Sequence, residues 1–258
     1  MTRFLTLFLI LTLSQQTLRP QNIFNELASD FLGKPYVAGT LEKEGGEQLI
    51  VNLQEVDCTT FVEYLTAAVL LGEKADSASP SYRDMVRRIR YRDGKIQGYT
   101  SRLHYFSEWI ENNRDKQILN EVTGPANGVF IQKNIHFMSA HPQSYPALKE
   151  DPRRIDTIRH TEEKLSKHPF PFIPKENIQK QLTQIRHGDI IAITTAIPGL
   201  DISHVGFAWF DKGELYLLHA SSSAGKVIID PLPLSQYLAR NKKSTGIRVL
   251  RISGKHPR

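Results

Sequence analysis

The stretch Asn52–Gly72, NLQEVDCTTFVEYLTAAVLLG, holds the only cysteine of a 258-residue chain, Cys58. Asp57, just before it, is a good helix N-cap, because its carboxylate can accept from backbone N–H groups that a first turn leaves unpaired. Phe61, Val62, Leu65, Ala68 and Val69 recur at the spacing of one helix face. Gly72 supplies a stop. The pattern predicts a helix with the thiol in its first turn. Unpaired N–H groups and the positive end of the helix dipole favour thiolate there, and thiolate is the nucleophile. The competing reading is a small buried hydrophobe, common for an unpaired cysteine.

The N-terminus bears on that choice. Arg3 precedes an apolar run, Phe4–Leu13, which is followed by polar Ser14, Gln15 and Gln16. The run is shorter than the ~20 residues a membrane span needs, so residues 1–14 read as a secretory signal peptide. The expected mature chain, 15–258, is then a single domain exported to the periplasm or beyond it. One cysteine cannot form an internal disulfide, and in an oxidising compartment a leftover thiol is bridging or reactive. Apolar content of 40%, charged content of 23% and a formal charge of +6 are those of an ordinary globular protein.

From Gly188 onward the chain turns to short β-rich runs: GDIIAITT, SHVGFAWF, ELYLLHASS, KVIID and GIRVLRIS. Glycine and aspartate punctuate them, which predicts an antiparallel meander, curled or barrel-like. His204 begins the second run and His219 lies late in the third. A turn at Lys212 would join these runs as a hairpin, so the two rings could meet. They could equally be two separate core histidines. Tyr36, in the Gly- and Pro-rich GKPYVAGT, is either a loop anchor or an active-site donor.

Between these regions, Ser79 and Pro80 open an expected helix carrying Met85, Val86 and Ile89 inward. Arg83, Arg87, Arg88, Arg90 and Arg92 read as its solvated face, since no base-stacking module accompanies them. TSRLHYFSEWIENN reads as another helix capped by Ser101. Its cluster of Ser101, Arg102, His104 and Tyr105 is either routine packing or a recognition patch in which Arg102 meets a carboxylate. KHPFPFIP reads as an extended, stiff wall. His136 and His141 lie close in sequence, but no HExxH or zinc-like spacing is present, so no metal or cofactor is expected.

In order, the Tyr36 loop, the Asp57–Cys58 helix start and the His204 and His219 strands resemble the NlpC-type branch of the papain-like cysteine peptidases and amidases. The segments carrying this are GKPYVAG, VDCTTFV, RHGDIIAI, SHVGFAWF and LLHASS. VDCTTFVEYLTAAVL, SRLHYFSEWIENN and GLDISHVGFA resemble, more narrowly, the periplasmic N-acetylmuramoyl-L-alanine amidase-like family. Thr59-Thr60 departs from the Ser-Gly common after the superfamily cysteine, and Gly39-Thr40 lacks a second glycine.

The resemblance implies an α+β, papain-like NlpC-type fold: a Cys-bearing helix on a curved antiparallel sheet, with residues 73–187 as a family-specific insertion. It implies Cys58 as nucleophile, His204 as general base and acid, and His219 as the group orienting His204. The Cys58 N–H and the Tyr36 hydroxyl would form the oxyanion hole. Ser101, Arg102, His104 and Tyr105 would contact substrate, with Asp57 organising the loop. The implied reaction is hydrolysis of the N-acetylmuramoyl-L-alanine amide bond of peptidoglycan fragments, with small muropeptides and anhydro-muropeptides fitting better than intact wall. Two alternatives are a D-glutamyl-diamino acid endopeptidase of the stem peptide and a non-catalytic wall-binding protein. No nucleic-acid partner is expected.

Overall fold

Asp57 does set the start of a helix. In the computed structural model, which describes residues 23–42, 46–124 and 128–253, helix α1 covers residues 23–29 and α2 spans Cys58–Leu71. The expected signal peptide lies outside the described residues. Asp57 Oδ1 accepts from the Thr60 N–H at 2.7 Å, and Thr60 Oγ1 accepts from the Asp57 N–H at 2.9 Å. This reciprocal box satisfies two end groups and contributes about 1 kcal/mol. Thr60 is fully buried, so the departure from Ser-Gly supplies the cap partner. Gly72 ends α2 at φ 67°, a left-handed conformation that glycine enters at least cost.

Eight described strands form one sheet: β1 (Leu119–Glu121), β2 (Val129–Ile131), β3 (Phe170–Pro174), β4 (Ile190–Thr195), β5 (Ile202–Asp211), β6 (Glu214–Ser221), β7 (Lys226–Ile229) and β8 (Ser244–Ile252). Their order is β2-β3-β8-β4-β5-β6-β7, with β1 also pairing β8. Every pairing is antiparallel. The expected meander runs from β4 to β7, but the path ends at β2 and β7 and does not close as a barrel. Lys212 and Gly213 join β5 to β6 with φ of 49° and 85°. Two successive positive φ angles match the right-handed twist of a tight hairpin.

The sheet is covered on both sides, which explains why β4 is buried at every position rather than at alternate ones. Ile190, Ala192, Val205, Phe207 and Leu218 face one cluster with Phe61 and Leu65 of α2, Val86 of α3 (Pro80–Arg90) and Trp109 of α4 (Phe106–Asp115). Ile191, Ile193, Ala208, Leu217 and Val249 face a second, with Leu234 and Leu238 of a C-terminal helix, Leu234–Arg240. A third cluster joins Tyr99, Tyr105, Ile135, Met138, Leu148, Ile158 and Leu165.

The architecture is therefore mixed, with helices on an antiparallel sheet. Two local expectations are corrected. Ser101 caps no helix: it sits in a 3-10 turn, and α4 begins only at Phe106. Arg102 forms an antiparallel β-bridge with Tyr91, which closes the intervening chain as a loop with a 3-10 turn at each end. Arg90 is not solvated. It is fully buried, with its Nε 2.6 Å from Glu63 Oε2 and a second guanidinium nitrogen on the Ile50 carbonyl.

Candidate active site

Helix α2 packs against β5 and β6, bringing Cys58 to β5. The β5–β6 ladder pairs Asp211 with Glu214 through to Phe207 with Leu218. Two residues further along β5, the Val205 backbone N–H hydrogen-bonds the Cys58 sulfur. Its neighbour His204 places Nε2 2.6 Å from His219 Nδ1, with the rings at 85°. Gly206 makes room for this. A Cβ there would lie 2.6 Å from the Leu218 carbonyl oxygen and 2.9 Å from His219 Cβ.

Burial, then the Asp57 charge, pushes the Cys58 thiol up to about 11, against the opposing pull of hydrogen bonds from Val205 and Thr59. The sequence predicts the reverse, a lowered pKa from the helix N-terminus. Desolvation and a neighbouring carboxylate outweigh the hydrogen bonds that favour thiolate. Burial, then His219, lowers His204 to about 3, and burial lowers His219 to about 4. At neutral pH both rings are neutral, and the resting thiol keeps its proton. No hydrogen bond joins Cys58 to either imidazole among the described residues, and His204 Nδ1 has no hydrogen-bond partner there.

Tyr36 is fixed by its backbone. Its N–H donates to the Gly225 carbonyl at 2.9 Å, and it bridges Val56, two residues before Cys58. Burial, then the charges of Cys58 and Asp57, raises the Tyr36 hydroxyl, which therefore stays a donor. The Cys58 N–H has no backbone partner among the described residues. These are the two donors expected of an oxyanion hole.

The other expected substrate residues lie elsewhere and are tied down internally. Ser101 Oγ donates to Gly98 O at 2.6 Å and accepts from the Gln97 N–H. His104 Nε2 lies 2.8 Å from Tyr99 O. The Tyr105 hydroxyl donates to Glu162 at 2.6 Å and accepts from the Met138 N–H. Arg102 grips Glu47 with two nitrogens, at 3.1 and 2.7 Å, and Glu42 with a third, at 2.7 Å. Of these four only Arg102 lines a cavity of about 640 Å³, along with Tyr99, Glu42, Ala147 and Arg154; Cys58, Tyr36, His204 and His219 do not line it. Among the described residues no group of three or more His, Cys, Asp or Glu could hold a metal. Nor is any helix long and apolar enough to cross a membrane.

Residues 26–247 match the N-acetylmuramoyl-L-alanine amidase-like family. The chain belongs to that family. This amidase-like chain is similar to a Bacteroides uniformis structure described as an N-acetylmuramoyl-L-alanine amidase, at 42% identity over 91% of this chain and 99% of the other, TM-score 0.86. It is similar to a Bacteroides fragilis structure described as a candidate xylanase, at 44% identity over 88% and 99%, TM-score 0.83. A Legionella pneumophila protein shares the fold at 22% identity over 94% and 93%, TM-score 0.70. No curated protein matched the chain.

Two residues packed beside His219 escaped the sequence reading. Asp230, just after β7, has Oδ2 3.5 Å from His219 Nε2. Tyr237 sets its ring edge-on to His219 at 5.5 Å, and burial, Asp230 and Cys58 push its hydroxyl up to about 12. The KVIID run that ends in Asp230 was a visible signal. Tyr237 had none.

Proposed function

We propose that this protein is an exported cysteine amidase with a papain-like NlpC-type fold. It hydrolyses the N-acetylmuramoyl-L-alanine amide bond of small muropeptides, anhydro-muropeptides included, in wall turnover or recycling. We read residues 1–14 as its signal peptide, 15–258 as one catalytic domain and 73–187 as the family-specific insertion. The observation that carries the reaction is the 2.6 Å His204–His219 pair on the strand whose Val205 N–H meets the Cys58 sulfur.

In the proposed reaction His204 Nδ1 takes the thiol proton as Cys58 Sγ attacks the lactyl carbonyl carbon. The carbonyl oxygen, now negative, rests between the Cys58 N–H and the Tyr36 hydroxyl. The C–N bond then breaks. His204 returns the proton to the leaving alanine amine, freeing the stem peptide and leaving a thioester. Water, deprotonated by His204, attacks the thioester and restores the thiol. A resting neutral pair suits this route, because proton transfer is coupled to attack. Arg102 would meet a substrate carboxylate by releasing half-exposed Glu42 while Glu47 stays bound. Ser101, His104 and Tyr105 hold that segment in place, and Asp57 holds the first turn.

Glycoside hydrolysis, which the name of the Bacteroides fragilis relative raises, works through two carboxyl groups flanking the scissile bond. The carboxylates beside this site are committed: Asp57 to the α2 cap and Asp230 to the Leu232 N–H and the His219 side.

The test is mass spectrometry of a defined muropeptide mixture incubated with the wild type and with Cys58→Ala. Free stem peptide plus intact sugar, lost in the variant, is the expected result. A dipeptide left on the sugar would move the assignment to the endopeptidase. No cleavage by wild type would favour a binding protein.

A further inference from the structure

We propose that Asp230 is a positioning residue for this reaction: its carboxylate keeps the His219 proton on Nε2, and so leaves His204 able to accept the thiol proton. The inference rests on the cysteine amidase reading above and extends its proton chain by one group.

Only one proton fits between His204 Nε2 and His219 Nδ1 at 2.6 Å. There are two ways to place it. If it belongs to His204 Nε2, then His204 Nδ1 carries a lone pair and can act as a base. The proton of His219 must then sit on Nε2. If it belongs instead to His219 Nδ1, the proton of neutral His204 is driven onto Nδ1, and the base is blocked. The choice between them is made at the far side of His219.

That far nitrogen is buried and makes no hydrogen bond among the described residues. The carboxylate facing it, Asp230 Oδ2 at 3.5 Å, can only accept. It therefore favours the arrangement with hydrogen on His219 Nε2, which is the working one. The carboxylate is itself held: Oδ1 accepts from the Leu232 N–H at 2.9 Å, and the Asp230 N–H donates to Leu217 O at 2.8 Å. Tyr237 covers another side of the His219 ring. A carboxylate here also favours the imidazolium that forms on His204 during attack.

Asp230→Asn keeps an oxygen for the Leu232 N–H but can turn an N–H₂ toward His219 Nε2. It should select the blocked arrangement. The experiment compares wild type, Cys58→Ala, Asp230→Asn and Asp230→Glu on one muropeptide, alongside ¹⁵N NMR of the histidine side chains. In Asp230→Asn, kcat should fall by at least about 10-fold and by as much as ~10⁴-fold, the loss when an Asp→Asn change puts a triad histidine in the wrong tautomer. KM should stay within about twofold, because substrate binding is untouched. Asp230→Glu should recover most of the loss. The NMR should show His219 protonated on Nε2 in wild type and on Nδ1 in Asp230→Asn.

Activity lost in Cys58→Ala but kept at the wild-type kcat in Asp230→Asn overturns this proposal alone. Activity kept in Cys58→Ala overturns the cysteine reading, and this proposal with it. His219 protonated on Nδ1 in the wild type overturns the proposal whether or not the variants fold.

Discussion

His204 and His219 sit with their rings perpendicular and their facing nitrogens 2.6 Å apart, and burial keeps both uncharged. A general base works only when unprotonated. Here the folded values of about 3 and about 4 lie below the ordinary histidine value, so the base survives acidification. The kcat/KM for muropeptide hydrolysis should stay level from pH 7 to about 5, with its acid limb below that. A limb centred near pH 6.5 would contradict the buried, neutral pair.

The same burial makes acid a denaturant. His104 is held to about 3, again by burial first. With His204 and His219, it stays neutral in the folded chain while an unfolded chain protonates near pH 6.5. The unfolded state then binds more protons, so stability is complete above that pH and falls as pH drops toward the folded values. The slope should approach roughly 1.4 kcal/mol per pH unit for each histidine. Urea midpoints measured between pH 7.5 and 5 test this; midpoints that do not move would show the rings protonating freely when folded.

The raised thiol makes a prediction opposite in sign to the usual reactive cysteine. Iodoacetamide should label Cys58 slowly at pH 7, and the rate should keep climbing past pH 9, because thiolate forms only toward about 11. Fast labelling at pH 6 would mean a resting thiolate–imidazolium pair and a different first step.

Glu63 on α2 and Arg90 on α3 form an ion pair with almost no solvent access to either side chain. Arg90→Met leaves a carboxylate buried without its partner and should cost about 3–5 kcal/mol in denaturant unfolding. Glu63→Leu combined with Arg90→Met should recover most of that. Additive losses would show that the pair is not coupled.

Arg102→Lys keeps the charge but not the fork that grips Glu47. If Arg102 meets a substrate carboxylate, KM should rise about tenfold with kcat nearly unchanged, the pattern of lost ground-state binding. Equal falls in kcat and kcat/KM would place Arg102 in the chemistry instead.

The legible features were the locally determined ones. The Asp57 cap, the Gly72 stop and the Lys212-Gly213 hairpin each depend on a few adjacent residues, and the hairpin carried the approach of His204 to His219. Features that needed a distant partner were hidden. Arg90 looked solvated because Glu63 lies 27 residues away, and only the packing of α2 on α3 joins them. The helix expected at Ser101 failed for the same reason, since the bridge from Tyr91 to Arg102 overrides a local cap. Tyr237 meets His219 only because its helix folds back over the sheet.

The third apolar cluster, Tyr99 to Leu165, shares no residue with the other two. It is a satellite pinned partly by the Tyr105 hydroxyl, which bridges Glu162 and the Met138 N–H. Such a unit can open without unzipping the ladder that carries His204 and His219, so its amides should exchange with solvent well before those of β4 and β5. The wall of the Arg102 cavity, in which Tyr99 stands, can then move while the His204–His219 pair beside Cys58 stays in register.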